Sequence, residues 1–159
     1  MAVNVDDIKL RPDSDLQFNT LQDDIVYVVL HGSELEQELT QQGGYIRKTS
    51  SPVLASPPTC EVCTISSLSN EADSAQLGTT NVNIYVPDIT DCTGQAGVPA
   101  VSANTSRLKH LAELAYGLLK KHYCENGWGF TCVAQDVLEE RQLKCHRVWL
   151  KLRFVFHNV

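Results

Sequence analysis

The sequence contains two closely spaced cysteines that could do chemistry. Cys60 and Cys63 form a Cys-x-x-Cys pair, which can supply half of a tetrahedral zinc site or a thioredoxin-like redox pair. A zinc site needs a second close pair of ligands, which the sequence lacks, and a redox pair needs a helix N-terminus rather than the strand predicted here. Core or surface thiols are the favoured interpretation, and a zinc-binding domain stays as a lesser alternative.

Cys145 and His146 could suggest a cysteine nucleophile with its base. Both lie on a predicted strand, where adjacent side chains point to opposite faces, so the two cannot form a catalytic dyad. The histidines share no metal-ligand spacing such as His-x-x-x-His and are expected at surface or boundary positions. They are His31, His110, His122, His146 and His157.

The aspartates and glycines of the sequence also form no recognisable binding motif. The pair Asp23-Asp24, and Asp88 with Asp91, lack the spacing of a calcium loop and are expected to be solvated. The glycines form no phosphate-binding loop or dinucleotide fingerprint; those considered are Gly94, Gly97, Gly127 and Gly129. We therefore expect no enzyme activity, no catalytic or metal site, and no cofactor.

One basic stripe does carry a binding hypothesis. Arg147, Lys151 and Arg153 lie on one face of the last predicted strand, with Trp149 between them. Such a stripe can meet an acidic protein surface, contact phosphates and bases, or simply be solvated. Because the chain has a net charge of −6 and a pI near 5.3, a protein interface is favoured over nucleic acid, and no sequence-specific nucleic-acid binding is expected.

The charge is divided unevenly along the chain. Residues 1–100 hold 14 Asp or Glu against 4 Lys or Arg, whereas residues 101–159 hold 5 against 9. The two segments could attract each other across a subunit boundary or pair within one chain. Both interpretations stay open at the level of sequence.

The 159 residues, of which 43% are hydrophobic and 20% charged, have the composition of a single globular domain. No apolar run approaches the ~18 residues that a membrane span needs, so no membrane partner is expected. The polar N-terminus does not resemble a signal peptide, and we expect free thiols in a reducing cytoplasm. Residues 1–17 are interpreted as an extended or flexible arm, and residues 18–159 as one domain.

Hydrophobic periodicity predicts the elements of that domain. A first helix follows Phe18 and ends at Gly32, and Ser33 with Glu36 forms a capping box for a short second helix that Gly43 and Gly44 end. Strands are predicted at 45–48, 61–68 and 81–86, with a proline-rich loop at 51–59 and a long loop at 88–103.

The C-terminal part has the clearest patterns. A helix capped by Asn104 or Thr105 carries an apolar stripe that runs through Leu119 and extends to Tyr123. A strand at 128–138 and a connection at 139–142 lead to a final strand with strict period two from Val148 to His157. The order α-(α)-β-β-β-α-β-β predicts an α+β fold, a mostly antiparallel sheet of about five strands with two main helices packed on one face.

This element order resembles that of the tail-terminator or tail-completion family of tailed bacteriophages, with its minor tail and neck relatives. The resemblance covers residues 18–158. It depends on the run Ile25–Leu30 with Ser33, the strand Gly43–Arg47, the segment Val62–Leu68, the NVNIYVPDI strand at 81–89, the long helix, and the closing hairpin that ends at Asn158.

The resemblance implies a non-enzymatic virion protein that forms a ring, commonly a hexamer, at the head–tail junction. Its partners would be copies of itself and other tail or neck proteins, and it would be assembled in the host cytoplasm. A ring requires heterologous contacts, in which one patch meets a different patch of the next subunit. The alternative from another functional class is a small adaptor that binds a partner through the Trp149 face.

Overall fold

The computed structural model describes residues 4–10, 17–49, 58–71, 75–91, 100–125 and 127–157. Its helices are α1 (Asn19–Leu30), α2 (Glu34–Gln41) and α3 (Thr105–Leu119). Its strands are β1 (Tyr45–Lys48), β2 (Val62–Ser67), β3 (Gln76–Pro87), β4 (Ile89–Asp91), β5 (Ala100–Ser102), β6 (Lys121–Cys124), β7 (Trp128–Glu140) and β8 (Cys145–Phe156).

Six of the strands form one sheet in the order β1-β2-β3-β8-β7-β6. Only β1 and β2 are parallel, and every other neighbouring pair in this sheet is antiparallel. β4 and β5 form a separate two-stranded hairpin. The predicted α+β class, with a mostly antiparallel sheet and helices on one face, is confirmed.

The helices cover one face of the sheet and bury its core. On β8 the side chains that face the helices alternate along the strand and are at most 1% exposed: Val148, Leu150, Leu152, Phe154 and Phe156. They pack in one cluster with apolar residues of all three helices, among them Ile25, Leu39 and Leu111. None of the described helices lies on the opposite side of the sheet, and we call that side the helix-free face.

The local signals for α1 and α2 act as predicted. The Ser33 hydroxyl accepts a hydrogen bond from the Glu36 N–H at 3.3 Å, and the Glu36 carboxylate accepts one from the Gly32 N–H at 3.1 Å. The first bond satisfies an N–H group that the start of α2 leaves unpaired, and the second ties the Glu36 side chain back to the residue before the N-cap Ser33. After α2, Gly43 takes a φ of +76°, a left-handed conformation that glycine adopts without steric cost.

Several strands differ from the sequence-based expectation. The segment 88–103, predicted as a long loop, contains the short paired strands β4 and β5. The apolar stripe of α3 was expected to extend to Tyr123, but α3 ends at Leu119 and residues 121–124 form β6, in which Tyr123 is 68% exposed. β3 begins at Gln76 rather than Asn81, because its first core-facing positions are Gln76, Gly78 and Thr80. These residues are not apolar, so hydrophobic alternation could not reveal them.

Of the predicted N-terminal arm the structure describes residues 4–10 and 17. Val5–Asp7 form a single 3-10 turn, and Val5, Ile8 and Leu10 pack against the core of the same chain. The Asp6 carboxylate lies 2.8 Å from Nε2 of His122. Residues 51–57 of the proline-rich loop and residues 92–99 of the long loop lie outside the described residues.

Candidate functional site

The four residues of the predicted interface share one surface. Arg147, Trp149, Lys151 and Arg153 alternate with the core residues of β8, so all four lie on the helix-free face. Arg153 is exposed, and the other three are partly buried between the neighbouring strands β3 and β7. The sheet therefore presents them together in one column.

Arg147 and Trp149 are held by side chains of the adjacent strands. The Arg147 guanidinium donates from Nε to the Glu140 carboxylate and from Nη1 to Oδ1 of Asn83. The indole Nε1 of Trp149 donates to Oδ1 of Asn81 at 2.9 Å. The charge of Arg147 is thus balanced within the chain, and both side chains have fixed positions.

Lys151 and Arg153 are placed differently. In the described part of the chain neither side chain forms an ion pair, and their cross-strand neighbours carry no charge. Lys151 lies between Asn81 and Ala134, and Arg153 lies between Thr79 and Thr131; these assignments follow from the pairing of β3, β8 and β7. The charges of these two cations are therefore not balanced by a neighbouring side chain among the described residues.

Two further cation–aromatic pairs occupy the margins of the helix-free face, and sequence reasoning missed both. The Arg47 guanidinium lies 4.7 Å from the ring centre of Tyr45 on β1, and the Lys121 ammonium lies 4.9 Å from that of Tyr123 on β6. Each pair has i, i+2 spacing, which places both side chains on one face of a strand. That spacing is a signal, but strands of four residues make it weak.

Part of the charge division along the sequence is resolved inside the chain, on the helix side. Arg107 on α3 binds Glu61 through Nε at 2.7 Å and Nη2 at 2.8 Å, and it reaches Glu38 through Nη1 at 2.5 Å. His110 lies 2.9 Å from Glu38, and hydrogen bonds from His110 and Arg107 lower the pKa of that carboxyl. Pairing within one chain, one of the two interpretations left open, therefore accounts for these charges.

His146 also lies beside a carboxylate, as His110 does. Its Nδ1 lies 2.7 Å from the Asp88 carboxylate, so the ring faces a carboxylate and not the neighbouring thiol. Cys145 is buried, and burial raises the pKa of its thiol to about 11. A neutral thiol is a weak nucleophile, and the pair does not form a catalytic dyad.

The Cys-x-x-Cys pair is divided between two environments. Cys63 is completely buried on the core face of β2, and burial raises the pKa of its thiol to about 12, whereas Cys60 precedes the strand and is half-buried. Among the described residues no group of three or more His, Cys, Asp or Glu lies close enough to hold a metal ion. Cys92, Gly94, Gly97 and the side chain of Asp91 lie outside the description.

The expectation that Asp23 is solvated is wrong, and so is that for Asp88, whose side chain is 12% exposed beside His146. Asp23 lies on the buried side of α1 and is 2% exposed, and its carboxylate accepts hydrogen bonds from Thr49 Oγ1 at 2.8 Å and Ser67 Oγ at 2.5 Å. Two hydroxyls replace the lost water, which is how a buried carboxylate is tolerated. Asp24 does reach the surface, where it pairs with Lys48 at 2.5 Å.

Comparison with known proteins adds no relative. No protein-family model matches the chain, and no curated protein sequence matches it significantly. Within the described residues, no helix is long and apolar enough to cross a membrane.

Proposed function

We propose that this protein is a non-enzymatic structural component of a tailed bacteriophage that forms a homo-oligomeric ring at the head–tail junction. The proposal is supported by the order of two helices, three strands, a helix and a closing hairpin, on which the resemblance depends; the structure adds the separate β4-β5 hairpin and the short β6 to this order. Both terminator and neck positions in the particle are compatible with this role.

The observation that carries the proposal is a pair of cations on the helix-free face, which none of the described helices covers. The helix-free face presents Lys151 and Arg153 without an ion-pair partner among the described residues, next to the partly buried indole of Trp149. An aromatic ring flanked by cations is typical of an interface centre. The acidic part of a neighbouring copy, within residues 1–100, would complement this charge and set the register of assembly.

The double variant Lys151→Glu/Arg153→Glu tests this interface. Both side chains point away from the core, so the fold should be retained while self-association weakens by about tenfold or more. Light scattering after size exclusion measures the mass, and circular dichroism checks the fold. The matched control is Lys109→Glu/Lys120→Glu, which makes the same charge change at two exposed positions on and next to α3.

Normal assembly of the Lys151→Glu/Arg153→Glu variant would show that Lys151 and Arg153 do not lie in the interface. Mass spectrometry of purified particles from the virus that encodes the chain tests the location separately. A protein that is strictly monomeric and absent from particles would fit the adaptor alternative, in which the Trp149 face binds a different protein.

A further inference from the structure

A long stretch of β7 has no strand along its outer edge. β6 pairs only with residues 128–131 of β7, and a last bond runs from the Cys132 N–H to the Lys120 carbonyl at 2.9 Å. A register shift between Cys132 and Ala134 follows, and β7 then continues to Glu140 paired with β8 alone. In the part of the chain that the structure describes, nothing pairs with this edge, which we call the open β7 edge (residues 133–140).

The open β7 edge has free backbone donors and exposed apolar side chains. The Val137 N–H donates to the carboxylate of its own neighbour, Asp136, at 2.8 Å, and not to β8. Because donors alternate along an antiparallel strand, the N–H groups of Gln135 and Glu139 point outward as well. Val133 and Val137 are 44% and 46% exposed. An edge of this kind is a template for an added strand.

The other end of the sheet offers such a strand. β1 consists of Tyr45–Lys48 and pairs on one side with β2, and none of the described strands lies on its other side. Arg47 gives this edge a positive charge, and Asp136 gives the open β7 edge a negative one. Their charged neighbours are paired within the chain: Lys48 with Asp24, Glu139 with Arg141, and Glu140 with Arg147.

The sheet register places these two edges at the same height. Following the paired residues across the strands, Arg47 is in one row with Thr64, Asn83, Trp149 and Asp136. By the same pairing Tyr45 shares a row with Leu138, and Lys48 shares one with Gln135. β1 runs antiparallel to β7, so a neighbouring copy in the same orientation could add its β1 to this edge without sliding along the strands.

We infer that residues 135–138 of β7 pair, antiparallel, with Tyr45–Lys48 of a second copy of this chain. Arg47 of one copy then lies opposite Asp136 of the other on the helix-free face, and Ile46 lies opposite the exposed Val137 on the helix side. The Asp136 carboxylate releases the Val137 N–H to the incoming strand. This contact deepens the proposed function, since it rests on self-association, and it is heterologous, as a ring requires.

The charges of the two edges favour this pairing over two symmetric pairings, that of β7 with β7 and that of β1 with β1. Two β7 edges paired about Asp136 would place like carboxylates opposite each other, and two β1 edges paired about Arg47 would place like guanidinium groups opposite each other. Like charges directly opposite destabilise a sheet, whereas opposite charges stabilise it. The two edges of one chain are therefore complementary to each other and not to themselves.

A charge exchange tests the pairing. Arg47→Glu and Asp136→Arg should each weaken self-association by about tenfold, and the double variant Arg47→Glu/Asp136→Arg should regain most of the loss. The controls Lys109→Glu and Glu113→Arg make the same two charge changes at exposed positions of α3 and should assemble like the unmodified chain. Concentration-dependent light scattering measures the association.

Amide hydrogen exchange provides a second readout that a simple surface ion pair would not change. In the assembled protein the N–H groups of Gln135 and Val137 should exchange at least about tenfold more slowly than in dilute monomer. Unchanged exchange at both, or double-variant association no stronger than that of the single variants, would overturn the inference.

The outcomes separate this inference from the proposed function. If Lys151→Glu/Arg153→Glu blocks assembly while Arg47→Glu and Asp136→Arg do not, the strand pairing is wrong and the interface at Lys151 and Arg153 is supported. If only the edge variants weaken assembly, the strand pairing is supported and Lys151 and Arg153 are not in the interface. A chain that stays monomeric at ~1 mM overturns the pairing.

Discussion

Asp23 shows how a single residue departs from what its neighbours in the sequence suggest. Two adjacent aspartates on a polar segment are typical of a solvated surface, yet Asp23 packs inside while Asp24 stays outside. Burial is the largest influence on Asp23 and raises the pKa of its carboxyl, although hydrogen bonds from Ser67 and Thr49 act in the opposite direction. The residue therefore links folding to pH.

The substitution Asp23→Asn should remove the pH dependence of folding stability that this carboxyl causes. Because the pKa is higher in the folded than in the unfolded chain, the folded state holds this proton more tightly, and stability from this group is lost as pH rises through the raised pKa. The stability of the unmodified chain relative to the variant should thus fall from about pH 4 upward. Urea unfolding of both proteins between pH 4 and 7 measures the difference, and a pH-independent difference would contradict the account.

At the scale of elements, β8 organises the molecule. It is the strand with the clearest alternation in the sequence, and it lies between β3 and β7 inside the sheet. Its core-facing aromatic rings form a continuous row with those of β7: Phe154 lies 5.0 Å from Phe130 and 5.8 Å from Phe156 between ring centres. The strand thus joins the two halves of the sheet through its core-facing side.

Phe154→Ala should cost ~3–5 kcal/mol of the free energy of unfolding, because it leaves a cavity in the middle of this aromatic row. Val155→Ala, on the opposite face of the same strand and partly exposed, is the matched control and should cost much less. Chemical denaturation measures both. Equal losses in the two variants would mean that the row is not the main site of packing.

At the scale of the whole molecule, the charge division has two separate uses. On the helix side, Arg107 joins the basic C-terminal part to Glu38 and Glu61 of the acidic part, and the Glu61 carboxylate is almost completely buried. On the helix-free face, Lys151 and Arg153 have no such partner among the described residues. Net charge by itself could not distinguish these two uses.

Arg107→Met should destabilise the fold by roughly 3 kcal/mol, because it leaves the buried Glu61 carboxylate without its bidentate partner. Arg107→Lys should be more stable than Arg107→Met but less stable than the unmodified chain, since an ammonium keeps the charge but cannot make the two parallel bonds. Thermal and urea unfolding measure both variants. Adding Glu61→Gln to Arg107→Met should recover stability, and failure to recover would show that the unpaired charge is not the cause.

Much of the fold followed from local pattern. The capping box at Ser33 and Glu36, the amphipathic stripe of α3 and the period-two alternation of β8 are set by residues within a few positions of each other, so the sequence alone was sufficient. The start of β3 and the short strands β4, β5 and β6 were missed, because polar core positions and lengths of three or four residues carry little periodic signal.

The sequence by itself determined the main helices and strands, the fold class and the side of β8 on which Arg147, Trp149, Lys151 and Arg153 lie. Only the tertiary structure decided which cations are already paired, that Asp23 is buried, and that Arg47 and Asp136 share a row at opposite ends of the sheet. The reason is physical: alternation along one strand is a local property, whereas partners across strands depend on the register of segments up to a hundred residues apart. That register places the open β7 edge at the same height as β1.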